Sequence, residues 1–221
     1  MQLPGLVTVE PDQIETIEKL ACMMGKSFME ELWTEAWLEA LDEIGTTADR
    51  KLEISRAIMK YDFIVGTPFE CCYMLPDMAA GTGAYLSSDL KGNIWSDLED
   101  QATEMMAEAV LTEEEKTALY KRAVEMEPIS NFKWMIPETE GKDFIHFFSV
   151  GVNPDMRGSG AFRRLVTPFL DYADQHGLNC YLECYTDRLE SLYGHFGFET
   201  VHRFTDPKFD VYERAMVRTP R

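Results

Sequence analysis

The order of apolar and amphipathic segments predicts a mixed α/β fold (α+β), with a mostly antiparallel sheet flanked by helices. Three observations carry this reading. Short runs rich in β-branched and aromatic residues are separated by helical stretches, but not in a regular alternating series, so a doubly wound parallel sheet is excluded. The run "DFIHFFSVGV" is apolar on both faces, as a central strand is. After it come the glycine turn "MRGSGAF", an amphipathic helix and the strand "LNCYLECY", which make one β-α-β unit near the end of the chain.

The elements follow in order. "GLVTV" reads as a first strand. A helix begins near Ile14, with Asp12 and Glu15 spaced as a capping box and Ile14, Ile17, Leu20 and Ala21 at helical intervals. "LWTEAWLEALDEIG" is a second helix ending at Gly45. "TADRKLEISRAIMKYDFIV" is a third, with Leu52, Ile54, Ile58 and Met59 roughly on one side. "FECCYML" and "AAGTGAYLSSDL" read as a hairpin. Residues 95–129 are helical with a break near Leu111–Thr112, where Thr112 and Glu115 make another capping box. Past the β-α-β unit, whose helix ends at Gly177, "DRLESLYGHFGFE" is a short helix and a glycine turn. "ETVHRF" and "YERAMVR" close the sheet around "TDPKFD".

A length of 221 residues, 45% hydrophobic and 12% aromatic, suits one folded domain. Within it, residues 1–140 form an N-terminal part with an acidic helical insertion, and residues 141–221 form a core. No apolar run is long enough to span a membrane, and "MQLPGLVTVEPDQ" lacks a secretory pattern, so the expected location is cytoplasmic. Five cysteines with no C-x-x-C pair and no paired histidines predict buried free thiols, with neither a disulfide framework nor a metal site. The net charge of −18 is uneven. Residues 1–140 carry 11 Lys and Arg against 28 Asp and Glu, while residues 141–221 carry 10 against 11. Such acidity argues against nucleic-acid and anionic-membrane partners. It places any anionic ligand in the second part and draws cations to the first.

"MRGSGAF" stands where a strand gives way to a helix. Free N–H groups and the helix dipole favour an anion there, and glycines allow close backbone approach. Arg157 precedes the turn, and Arg163 and Arg164 lie in the first helical turn. A pyrophosphate suits such a turn. A Walker loop is excluded by the absence of its Gly-Lys-Ser/Thr ending. A Rossmann fingerprint is excluded because Arg163 stands where its last glycine belongs.

At these residues the chain resembles the GNAT N-acetyltransferases. Their acyl-CoA motif is Gln or Arg, two residues, Gly, one residue, then Gly or Ala. Arg157-Gly158-Ser159-Gly160-Ala161 fits it, and Phe162 departs at the last position. "CYLECYTDRLESLYGHFGFE" is similar to the family's closing element, and Pro168 within the preceding helix is similar to its puromycin N-acetyltransferase-like branch. These motifs span about residues 144–200; residues 1–140 match only in element order. The resemblance implies a GNAT fold and acetyl transfer from acetyl-CoA to a primary amine of a small molecule or peptide by direct attack. It implies cofactor contacts from Phe148, Ser149, Val150 and Val152 on the strand, from the loop Arg157–Phe162 (Ser159, Gly160 and Ala161 among them), and from Arg163. Tyr193 would be the general acid and a further cofactor contact, with Glu183 or His146 as base. Leu189 stands where the branch often has Asn, which puts one cofactor contact in doubt.

The family's acceptor side is built by the first helices, which offers Phe28, Glu31, Trp33 and Trp37 as an apolar wall edged by a carboxylate. Aromatics at helical spacing are more often what a core requires. The resemblance also admits a homodimer. Two other readings stay open: a GNAT-like protein that senses an acyl-CoA or an amine without turnover, favoured by Phe162 and Leu189, and an acidic scaffold that binds no CoA.

Overall fold

The computed structural model describes residues 1–221. Seven strands form one sheet: β1 (Val7–Thr8), β2 (Cys72–Met74), β3 (Ala80–Leu86), β4 (Phe144–Val152), β5 (Asn179–Cys184), β6 (Glu199–Phe204) and β7 (Glu213–Arg218). Their order is β1-β2-β3-β4-β5-β7-β6. Every neighbouring pair is antiparallel except β4 and β5, which are joined by a crossover helix and run parallel. The expected mixed sheet with one β-α-β unit is therefore what forms, and β4 is its central strand.

Seven α-helices cover the sheet: α1 (Ile14–Phe28), α2 (Leu32–Leu38), α3 (Ala48–Gly66), α4 (Trp95–Val110), α5 (Glu113–Met126), α6 (Ala161–His176) and α7 (Asp187–Gly194). One sheet face packs on α6 and α7, where Ile145, Phe147, Cys180 and Leu182 meet Val166, Phe169, Ala173 and Tyr193. The other face packs on α3 and α4, where Tyr85, Phe144 and Tyr181 meet Val65, Trp95 and Leu98. Strand alternation explains the division, since successive side chains of β4 and β5 point to opposite faces. All five cysteines are free, four of them buried.

The capping signals fared differently. The Thr112 box forms with both of its hydrogen bonds, so α4 and α5 break where expected. The Asp12–Glu15 box does not form: α1 starts after Gln13 and has no side-chain cap. A pair of Gln13 interactions with Glu10 shapes that turn instead, Gln13 N–H donating to the Glu10 carbonyl and Glu10 N–H to the Gln13 side chain. The first strand is also shorter than "GLVTV" suggests, because β2 offers it few residues to pair with.

Two irregularities shape the middle of the sheet. β4 and β5 pair only from Phe144–Asn179 to Phe147–Leu182. Beyond that point β4 runs on to Val152 with no partner on its β5 side, so the two parallel strands part into a wedge. On its other side, β4 pairs Ser149 with Gly83 and Phe147 with Ala84, leaving Phe148 as the extra residue of a bulge. Gly83 makes room for it: a Cβ there would lie 2.1 Å from the Phe148 ring.

Candidate active site

Two voids meet at the wedge. The first is a cleft of about 560 Å³ between the splayed end of β4, the start of α6 and α7. Val150 and Val152 form its floor, and Arg157, Gly158, Gly160–Arg163 form one end. Gly158 and Gly160 both sit at φ of +80°, the left-handed region that glycine takes without strain, and no atom lies within 4 Å of where their Cβ would be. The N–H groups of Gly158, Gly160, Ala161, Phe162 and Arg163 donate to no group in the protein. No acidic residue occupies the first turn of α6. This is a donor set suited to a pyrophosphate, and it fits the CoA moiety that the sequence motif implies.

The cleft also contains negative charge. Arg157 reaches back to Glu30 at 2.6 Å, and Arg164 pairs with Asp77 at 2.9 Å, outside the cleft. Arg163 lies over the Phe196 ring. Phe162, the departure from the motif, does not fill the loop. Its ring packs edge-on against Phe196 at 5.1 Å and Tyr193 at 5.7 Å and so becomes part of the cleft wall.

The second void is a largely apolar cavity of about 220 Å³ between the sheet and helices α2, α3 and α4. Phe28, Glu31, Trp33 and Trp37 all line it, as does the His146–Glu183 pair. Trp33 and Trp37 stack at 6.0 Å, but each also has a structural bond: Trp33 Nε1 donates to Ser130 Oγ and Trp37 Nε1 to the Leu119 carbonyl. Glu31 caps α2 by accepting from the N–H groups of Trp33 and Thr34, while its other oxygen is buried without a partner. Burial pushes the Glu31 carboxyl up to about 7.

On the cavity floor, His146 Nε2 lies 2.9 Å from Glu183 Oε2, and His146 Nδ1 lies 3.2 Å from the Tyr85 hydroxyl. Trp134 Nε1 donates to Glu183 Oε1 at 2.5 Å. An ionised Glu183 only accepts, so His146 donates through Nε2 and takes the Tyr85 hydroxyl proton as an acceptor at Nδ1. Both ring nitrogens are thereby used. Phe148, thrown out by the bulge, stacks on Trp95 at 3.8 Å and helps wall the cavity. Ser149 is buried and turned to the other strand, its Oγ accepting from Gly83 N–H.

Tyr193 stands where the voids meet: it lines both, together with Phe28, Glu31, Val150 and Leu189. Its ring is buried against Phe162 and Phe198. Burial pushes its phenol well above the usual tyrosine range.

Of the residues named from the sequence, all but Ser159 line these two voids; Ser159 turns its N–H and its hydroxyl back to the Met156 carbonyl, so it offers the cleft no donor. Several others share the wedge without having been singled out: Asp62, Trp95, Glu99, Phe132, Trp134 and Tyr185. A signal existed for Asp62, a charged residue in helical phase with Ser55, Ile58 and Met59. Trp134 and Phe132 lie in an irregular segment with no periodicity to read.

Residues 97–198 match the family model for the Acetyltransferase (GNAT) family. No curated protein matches the chain in sequence. Solved structures are similar along nearly their whole length. A histone acetyltransferase HPA2 and related acetyltransferase from Corynebacterium glutamicum has a TM-score of 0.56 at 13% identity, covering 100% of this chain and 98% of its own. A polyamine N-acetyltransferase of Drosophila melanogaster, which forms N-acetylagmatine, has 0.53 at 16%, covering 96% of each chain. Arylalkylamine N-acetyltransferase 2 from Aedes aegypti has 0.54 at 14%, covering 98% of each. The chain has the GNAT fold, and residues 97–198 carry that family's sequence signature.

Proposed function

We propose that the chain is an N-acetyltransferase that moves an acetyl group from acetyl-CoA to a primary amine held in the apolar, acid-edged cavity. The observation that carries this reading is the position of Tyr193, whose side chain lines both the cleft and the cavity. A group there reaches a thioester entering from one side and an amine entering from the other. When bound, acetyl-CoA supplies a thioester whose carbonyl carbon takes a neutral amine nitrogen and whose thiolate departs.

Each step asks something of this chain. The free N–H groups of Gly158 and Gly160–Arg163 hold the pyrophosphate, and the β5-facing backbone groups of Phe148–Val152, beyond the last β4–β5 pair, line up the pantetheine arm. Glu183 takes the proton of the incoming ammonium; its carboxylate faces the cavity with lone pairs to spare beyond its two hydrogen bonds. His146 and Trp134 position that carboxylate. His146 has no free nitrogen, so it orients and does not accept. Tyr193 donates its phenolic proton to the departing sulfur, and burial keeps that proton on the oxygen until it is needed.

Two of the similar structures, the polyamine and arylalkylamine enzymes, are named for small amines, and this supports an amine acceptor here. The resemblance to the puromycin N-acetyltransferase-like branch rests on Pro168 within α6 and on the closing element. Calorimetric titration with acetyl-CoA tests the first requirement. Saturable one-to-one binding is expected, weakened when dephospho-CoA or ATP replaces it. A protein that binds no acetyl-CoA would overturn the proposal in favour of a scaffold.

A further inference from the structure

Asp62 and Glu99 are two cavity carboxyl groups that acetyl transfer as described leaves unused. Ser55, Ile58, Met59 and Asp62 recur at helical spacing on α3, and Trp95, Glu99, Thr103 and Met106 do so on α4; both sets line the cavity. Asp62 is only 9% exposed. Neither carboxyl group has a hydrogen bond or an ion pair: only burial and neighbouring charges act on them. Glu99 repels Asp62; Glu99 itself is opposed by Glu183 and Asp100 and favoured in its charged form by His146 and Lys133, neither of which bonds to it. Burial holds Asp62 well above the usual carboxylate range and Glu99 at about 7. No lysine or arginine lines the cavity.

An ionised carboxylate is costly to bury without a partner, and a pair of them more so. Burial therefore favours the protonated acids, and a cation brought into the cavity supplies the missing partner, so that its binding ionises them with release of a proton. The same surroundings reject an anion. The rest of the lining near these groups, from Ile58, Trp95, Met106 and Phe148, suits a methylene chain.

We infer that Asp62 and Glu99 receive a second cationic group of the acceptor, which is therefore a diamine-type molecule: a reacting amine at one end of an apolar spacer and a cation at the other. The inference rests on the acetyl-transfer reading for which end reacts, but the binding itself does not depend on turnover.

The test uses straight-chain α,ω-diaminoalkanes and the monoaminoalkanes of equal carbon number. Each is titrated calorimetrically into the protein without acetyl-CoA, at physiological salt so that the acidic surface is screened. A diamine is expected to bind tighter than its monoamine by about tenfold or more, with an optimum chain length. Asp62→Asn and Glu99→Gln keep the side-chain shape and remove the group that can ionise against a cation. Each is expected to bring the ratio of the two affinities towards one, in variants whose thermal unfolding shows them folded. Equal affinities in the unaltered protein, or a ratio that survives both substitutions, overturn the inference. Adding acetyl-CoA separates it from the reading on which it rests. Diamine preference without acetylated product contradicts acetyl transfer and leaves the cation site standing. Acetylation of mono- and diamines with equal KM does the reverse.

Discussion

His146 gives its Nε2–H to Glu183 at 2.9 Å while its other nitrogen faces the Tyr85 hydroxyl at 3.2 Å, so the histidine is used up in holding the carboxylate. This ranks two residues that the sequence left as equal candidates for the base. Glu183→Gln is expected to lower kcat/KM by roughly 10²–10⁴-fold, the range of a lost general base, with acetyl-CoA affinity little changed. His146→Ala is expected to lower it less, because the carboxylate remains but is held only by Trp134. Steady-state kinetics of the two variants decide the matter. A histidine variant more damaged than the glutamate one makes His146 the base.

Tyr193→Phe removes the proton for the leaving sulfur and nothing from the phosphate loop. Turnover is expected to fall by about 10²-fold or more, while the dissociation constant for acetyl-CoA stays within about twofold. The raised phenol also fixes a pH signature. The acid form persists beyond the ordinary tyrosine value of about 10, so no alkaline loss of kcat assigned to Tyr193 is expected below that pH. A variant with full turnover removes Tyr193 from the chemistry.

Arg157 and Glu30 close a 2.6 Å bridge over the cleft. A phosphate has to compete with Glu30 for that guanidinium, and Glu30 also repels it. Glu30→Gln is expected to tighten acetyl-CoA binding several-fold, and Arg157→Ala to weaken it, both effects shrinking as salt is raised. Titrations at two ionic strengths measure this. Unchanged affinity in both variants means that the backbone N–H groups alone carry the contact.

Buried acids tie stability to pH. Burial lifts Glu31 and Glu99 from 4.5 to about 7 and Glu213 to about 8. Between those limits the folded protein keeps protons that the unfolded chain has released, so unfolding free energy decreases as pH rises. The unfolding midpoint is expected to fall steadily from pH 5 to pH 8. Glu213→Gln is expected to flatten that slope, since the amide oxygen still accepts from Asn131 N–H and the Tyr185 hydroxyl while the side chain can no longer ionise. Scanning calorimetry across the range reads both. A midpoint that rises towards pH 8 contradicts the assignment.

The elements and their succession along the chain were legible because the relevant signals are local. The apolar β4, the Gly177 cap of α6 and the Thr112 box each declare themselves within a few residues. So does the glycine turn before α6, since Gly158 and Gly160 take the left-handed conformation that their presence suggests. The Asp12 box failed because a neighbouring turn through Gln13 satisfied the same segment differently. What the chain could not declare is distance across the fold. Trp134 is 49 residues from the Glu183 that it holds, and Asp62 and Glu99 become a pair only when α3 packs on α4. Glu31, read as an acceptor contact, lines both voids and also caps α2 with one carboxylate oxygen, a second role that its spacing in the sequence did not announce.

The most direct test of the central claim is to mix protein, acetyl-CoA and a panel of primary amines, and to measure free CoA and acetylated amine in the same sample. Both are expected to appear in equal amounts with at least one amine, and Glu183→Gln and Tyr193→Phe are expected to slow both together. Acetyl-CoA that binds but yields neither product across the panel, or CoA released with no acetylated amine, would contradict it.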